Sequence, residues 1–249
     1  LNRAHLDKAF GELFSVLGTD ELVPINLPHQ RDGNRGLVIP RRFRIIATLN
    51  SYDKQFVQNL SQAIRRRFTF ITLDVPPQKS PDDTWKFDLN NISPAIREFS
   101  FVILRAAQRV ARRECSMIPF KLNAAIDDIL ENAKTLHISR IATLFNIVEY
   151  VRYSSNGEGV PYLPIGTAQL IDTVELFITR FRQDGQVEAN ADHNIDWAAS
   201  VKLAPLFESD VLEPDQLIKF AGTLPSPFSN LFARQLLTIA ASGMYFVPE

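Results

Sequence analysis

The apolar positions change period several times along the first third of the chain. From Ala4 to Leu17, the residues Leu6, Phe10, Leu13, Phe14 and Leu17 recur at helical spacing, and Gly18 follows as a stop. A turn-rich stretch comes next, with Pro24, Pro28, Gly33, Gly36 and Pro40. Within it "LVPINL" and "GLVIP" flank "RDGN", whose Asp-Gly signal predicts a protruding β-hairpin. Phe43–Leu49 ("FRIIATL") is apolar and rich in β-branched residues, which predicts a buried strand closed by Asn50. A short helix over Phe56–Ile64 leads into Arg65, Arg66 and Arg67. A second strand over Arg67–Val75 ("RFTFITLDV") then ends at Pro76-Pro77.

Beyond this point the pattern is helical. "PPQKSPDDTWKFDLNNISP" is a polar, proline-bearing connector, and Ser93-Pro94 supplies an N-cap and first-turn pair. The helix it opens carries Ile96, Phe99, Ile103, Ala106 and Val110 on one face. Further helices are predicted over Leu122–Ala133, Ile138–Tyr153, Thr167–Arg182, Asp215–Phe220 and Phe228–Ala241. The expected organisation is a strand-bearing part over 1–76, a linker over 77–91 and an all-helical part over 92–249. No internal repeat interrupts it.

Composition narrows the function classes. Hydrophobic content of 45% and charged content of 22% are those of an ordinary globular protein with a sizeable core. Cys115 is the only cysteine, which excludes an intrachain disulfide or a Cys-based metal site. The four histidines are scattered without metal-ligand spacing. No apolar run has membrane-spanning length and the start is not a signal peptide, so the expected compartment is cytoplasmic. The chain opens at Leu1 without an initiator Met and reads as helix almost at once, as expected of a segment of a longer polypeptide.

Charge adds one asymmetry. The chain is −1 overall, yet Arg31–Arg67 holds nine Lys/Arg against two Asp. That basic window suits an anionic ligand or acidic surface, or else a solvated loop face. An Asn at the carboxyl end of a buried strand can orient a water without quenching its nucleophilicity, or it can simply cap the strand–loop junction. Consecutive residues diverge around a helix, so the three arginines cannot all face one partner. One is expected to pack inward while others project into an interface. A basic helix C-terminus favoured by the macrodipole is the plainer alternative.

The run from "LNRAHLDKAFGELFSVL" to "IPRRFRIIATLNSYDKQFVQNLSQAIRRRFTFITLDVP" resembles the second half of an AAA+ ATPase module, nearest the McrB-type and MoxR-type (dynein-related) branch. Leu1-Asn2-Arg3-Ala4 matches the residues just after the Walker B acidic pair. "ATLN" matches the sensor 1 strand, making Asn50 the sensor 1 Asn. "AIRRRF" matches the pattern that carries trans-acting arginines, with Arg66 and Arg67 as finger candidates, then Arg65, and Arg3 as a further interface arginine. The hairpin around Arg31–Gly36 falls where this branch inserts its presensor 1 hairpin. "LPIGTAQLIDTVELF" falls at the sensor 2 helix, where Gly166 and Thr167 become candidate nucleotide contacts. The implied fold is an α/β partial P-loop core followed by an all-α lid.

The resemblance implies ATP or GTP hydrolysis with Mg²⁺ in an intact parent, in a hexamer-type ring of like subunits. It also implies a nuclease partner acting on DNA, or a remodelled protein substrate. Two departures qualify it. None of the ten glycines precedes a lysine, so no phosphate-cradling loop is present, and the Walker B carboxylates are missing too. This chain alone is therefore expected neither to bind nucleotide tightly nor to turn it over. Second, Leu170 stands where a sensor 2 arginine is common, and Arg140 is one replacement among several.

A reading of a different class is a non-catalytic module whose 31–67 region binds nucleic-acid phosphates or a protein. Steep salt dependence of binding would mark phosphate contact. Two smaller patterns have plainer explanations. Ile138, Ile141, Phe145 and Val148 read as a core stripe rather than a DNA-recognition helix, and Cys115 with His137 lacks the third group of a thiol catalyst.

Overall fold

The computed structural model describes residues 24–25, 37–38, 43–48, 66, 68–116, 121–154, 161–208 and 212–244. The chain divides into two compact units, Leu1–Leu73 and Asp74–Glu249, so residues 77–91 belong to the second.

In the first unit, β1 (Pro24–Ile25) pairs antiparallel with β2 (Leu37–Val38), Pro24 opposite Val38 and Ile25 opposite Leu37. This is the only strand pairing among the described residues. The expected α/β partial P-loop core is overturned here. Residues 43–48 and 68–75, predicted as the sensor 1 strand and its successor, carry no strand structure. Most of their apolar side chains face solvent, with Ile46 93%, Ile71 77% and Leu73 88% exposed, while Ile45, Phe68 and Val75 are half-buried. The physical reason is that a β-branched run becomes a strand only when neighbouring strands take its backbone groups and something covers its face. Among the described residues neither segment finds such partners. The predicted helices over Ala4–Leu17 and Phe56–Ile64 lie outside the described residues.

The second unit is helical. Its α-helices are α1 (Pro94–Glu114), α2 (Leu122–Thr135), α3 (Ile138–Tyr153), α4 (Thr167–Gln183), α5 (Ala191–Lys202), α6 (Pro214–Thr223) and α7 (Leu231–Met244). Two 3₁₀ turns, Glu188–Asn190 and Ala204–Phe207, flank α5. Helix α1 begins after Ser93, with Pro94 at its first turn, where a missing N–H costs nothing. It packs chiefly along α4, α4 also against α5, and α7 against both α6 and α5. One hydrophobic core runs through all seven helices, from Phe99 on α1 through Phe145 and Phe177 to Phe232 on α7.

Helix α4 ends in a Schellman motif. Gln186 N–H donates to the Phe181 carbonyl at 2.9 Å and Gly185 N–H to Arg182 at 3.2 Å. Gly185 adopts φ +73°, the left-handed conformation that glycine takes without a Cβ clash. Gln186 follows at φ +60°, turning the chain toward α5. Among the described residues no helix is long and apolar enough to cross a membrane.

Candidate functional site

The sequence pointed to two places, the arginine run and the start of α4. Of the first group, Arg66 alone is described; it is helical in backbone conformation and exposed. Asn50, Arg65, Arg67 and Arg3 lie outside the described residues.

The start of α4 is built from three helices. Gly166 is its N-cap residue, in extended conformation with φ −81° and ψ 164°. Its backbone approach is not crowded by main chain: an added Cβ would meet only the Gln169 side-chain amide. Thr167 opens the helix, and its hydroxyl donates to Glu98 Oε1 on α1 at 2.6 Å. The same carboxylate accepts two bonds from Arg152 on α3, at 2.7 Å to Oε2 and 2.9 Å to Oε1. Arg152 Nε donates to the Ile165 carbonyl at 2.7 Å, tying down the segment that leads into α4. Both charges are buried, Arg152 at 3% and Glu98 at 7% exposure.

A fork of two parallel N–H···O bonds is the strongest arrangement available to such a pair. Removing one partner of a buried pair leaves an uncompensated charge and costs roughly 3–5 kcal/mol. The cluster therefore fixes where α4 begins. It leaves the Thr167 hydroxyl committed as a donor to Glu98.

The sensor 2 position is equally specific. Leu170 is fully buried in the core, so this point of α4 faces inward. Arg140, the alternative cation, sits at the start of α3 and donates to Asp192 at 2.5 Å, to Glu188 at 2.6 Å and to the Leu136 carbonyl at 3.0 Å. It bridges α3 to the start of α5.

A second charged cluster joins α1 to α4. Arg109 donates to Asp172 at 2.6 Å and to Glu175 at 3.1 Å, which together raise its already high pKa. Arg113 stands 2.5 Å from Glu175 Oε1, a Coulombic contact off the hydrogen-bond axis. Arg182 forks onto Glu114 at 2.7 and 3.0 Å and reaches Asp128 at 3.2 Å. An open groove of about 540 Å³ lies beside these residues, lined by Val110, Arg113, Glu114, Thr179, Arg182 and Gln186. Its arginines already face carboxylates, which leaves it no strong field for an ion of either sign.

Among the described residues no three His, Cys, Asp or Glu side chains are placed to hold a metal. Cys115 is half-buried at the end of α1, its N–H bonded to Ala111, and His137 is enclosed by aromatic rings on α4. The Glu98–Arg152–Thr167 cluster was not foreseen from sequence. Its one local signal is a pair of charges, Glu149 and Arg152, set among the apolar positions of α3.

No family model, curated protein or solved structure matches this chain. The family resemblance accordingly rests on the motifs themselves.

Proposed function

We propose that this chain is part of a ring-forming AAA+ nucleoside triphosphatase. In this reading it contributes Asn50 to orient the attacking water, and Arg66 and Arg67 to a neighbouring subunit's nucleotide, with Arg65 and Arg3 at the same interface. The observation that carries the reading is the ordered pair "ATLN" and "AIRRRF" in one basic stretch. Two further features support it. Arg66 is exposed, as a residue acting on a neighbour must be. A separate helical unit follows the motif-bearing unit, as a lid would.

The phosphate loop and the carboxylates that hold Mg²⁺ would come from outside this sequence, with ATP or GTP as substrate. Finger arginines stabilise charge on the transferring phosphoryl group and are worth roughly 10³–10⁵ in rate. Gly166 would offer backbone to the nucleotide, while Thr167 acts through its bond to Glu98. The ring would be a homo-oligomer of hexamer type, acting with a nuclease on DNA or on a protein substrate, in the cytoplasm.

The test is turnover by the intact parent, carrying Arg66→Ala/Arg67→Ala, mixed with a parent lacking its Walker B glutamate. Each variant should be inactive alone, with activity regained in the mixture. Normal turnover by the arginine variant would overturn the reading.

One observation favours a second reading. The Arg31–Arg67 window is +7, and its described part exposes Phe43 and Arg44. A nucleic-acid surface there would bind in the isolated chain with steep salt dependence, whereas interface arginines need a neighbour.

A further inference from the structure

We infer that residues 76–88 are a strap pinned along one face of α3, so that this segment moves with the helical unit and is not a free linker. Asn146, Glu149 and Tyr153 follow one another at three- and four-residue spacing and so share a face of the helix. Each takes a different point of the strap, in reverse order. Trp85 Nε1 donates to Asn146 Oδ1 at 2.6 Å, Lys79 N–H donates to Glu149 Oε1 at 2.7 Å, and the Tyr153 hydroxyl donates to the Pro76 carbonyl. The strap therefore runs antiparallel to α3.

The lengths require a fold in it. From Asn146 to Tyr153 the helix advances only about 10 Å, whereas the strap between its outer pins could span about 30 Å if extended. A turn takes up the slack. Asp83 N–H donates to the Ser80 carbonyl at 3.0 Å, and the Lys79 ammonium closes it onto the Ser80 and Asp83 carbonyls at 2.9 and 2.7 Å. Beyond the turn, Trp85 is wedged 5.2 Å from the rings of both Phe99 and Phe145. Asp88 N–H then donates to Ser100 Oγ on α1 at 2.7 Å.

Within the strap the bonded residues Pro76, Lys79, Trp85 and Asp88 are half-buried, whereas Pro77, Gln78 and residues 80–82 between them are exposed. Residues 69–74 are all exposed, and Val75 is half-buried. A polar, proline-bearing segment that reads as a free linker is thus tied to the helices at four points. This inference concerns the chain's own mechanics and is independent of the nucleotide reading.

The test is hydrogen–deuterium exchange on the full chain. The amides of Lys79, Asp83 and Asp88 should exchange at least tenfold more slowly than those of residues 69–74. Glu149→Ala should remove that protection at Lys79 while the α4 and α5 amides keep theirs. Glu149→Gln, whose amide carbonyl still accepts, should retain it. Tyr153→Phe supplies a milder second variant that should speed exchange at Lys79 without touching Glu149. Equal exchange over 69–74 and 76–88 in the unmodified protein would overturn the inference. So would protection at Lys79 that survives both Glu149→Ala and Tyr153→Phe.

Discussion

His137 lies between Phe177 and Phe181, with ring centroids 5.0 and 4.4 Å away, and neither of its nitrogens has a hydrogen-bond partner. Burial pushes its pKa down to about 4, with Glu188 opposing the shift and Arg140 adding to it. The fold therefore holds the neutral ring, while the unfolded chain takes up a proton near pH 6.5. The stability this represents is fully present above pH 6.5 and is lost as pH falls toward 4, by roughly 3 kcal/mol over the window. Chemical denaturation between pH 7 and pH 4.5 should show His137→Leu losing less stability than the unmodified chain. Parallel slopes in the two proteins would refute this assignment. At the same scale, Asn50 and the arginine run are singled out by a short motif alone, and of them only Arg66 lies among the described residues. The Glu98–Arg152 pair is not legible, because its members stand 54 residues apart and only folding makes them neighbours.

At the scale of elements, helices and strands were unequally readable, for a physical reason. A helix closes its hydrogen bonds within itself, so a local apolar stripe such as Ile96, Phe99 and Ile103 suffices to announce α1. A strand needs partners that the local sequence does not name, and residues 43–48 and 68–75 lack them among the described residues. Helix α5 escaped the sequence reading for a different reason: its buried face includes Asn194 and Asp196, which break the apolar stripe. Asp196 nevertheless has a structural role. Its carboxylate accepts from the N–H groups of Leu231 and Phe232 at 2.7 and 2.9 Å, capping α7 from another helix. Burial raises its pKa against the pull of those two bonds. Asp196→Ala should cost about 1–3 kcal/mol, with α7 amides losing exchange protection before those of α1. Asp196→Asn, which keeps an acceptor, should cost less. Equal loss in both variants would mean that the site serves packing rather than capping.

For the whole molecule, the sequence indicated a change of character across 76–91, from a strand-bearing part to an all-helical one. The structure puts the division between Leu73 and Asp74. The polar, proline-bearing composition of 77–91 suggested a linker because composition reports polarity and backbone stiffness. It does not report the Trp85 wedge or the Glu149 and Ser100 bonds, which come from residues far along the chain.

The run Phe68–Leu73 ("FTFITL") has a consequence for how the protein behaves in bulk. It is uncharged, rich in β-branched and aromatic residues, free of glycine and proline, and largely exposed. Segments of that composition stack between molecules as pleated, in-register ribbons. Light scattering on the full chain should show slow, concentration-dependent assembly. A charge placed within the run, as in Ile71→Lys, should suppress it, and unchanged assembly would locate the sticky surface elsewhere. The same six residues, which pair with no strand among the described residues, would thus govern the shelf life of its solutions.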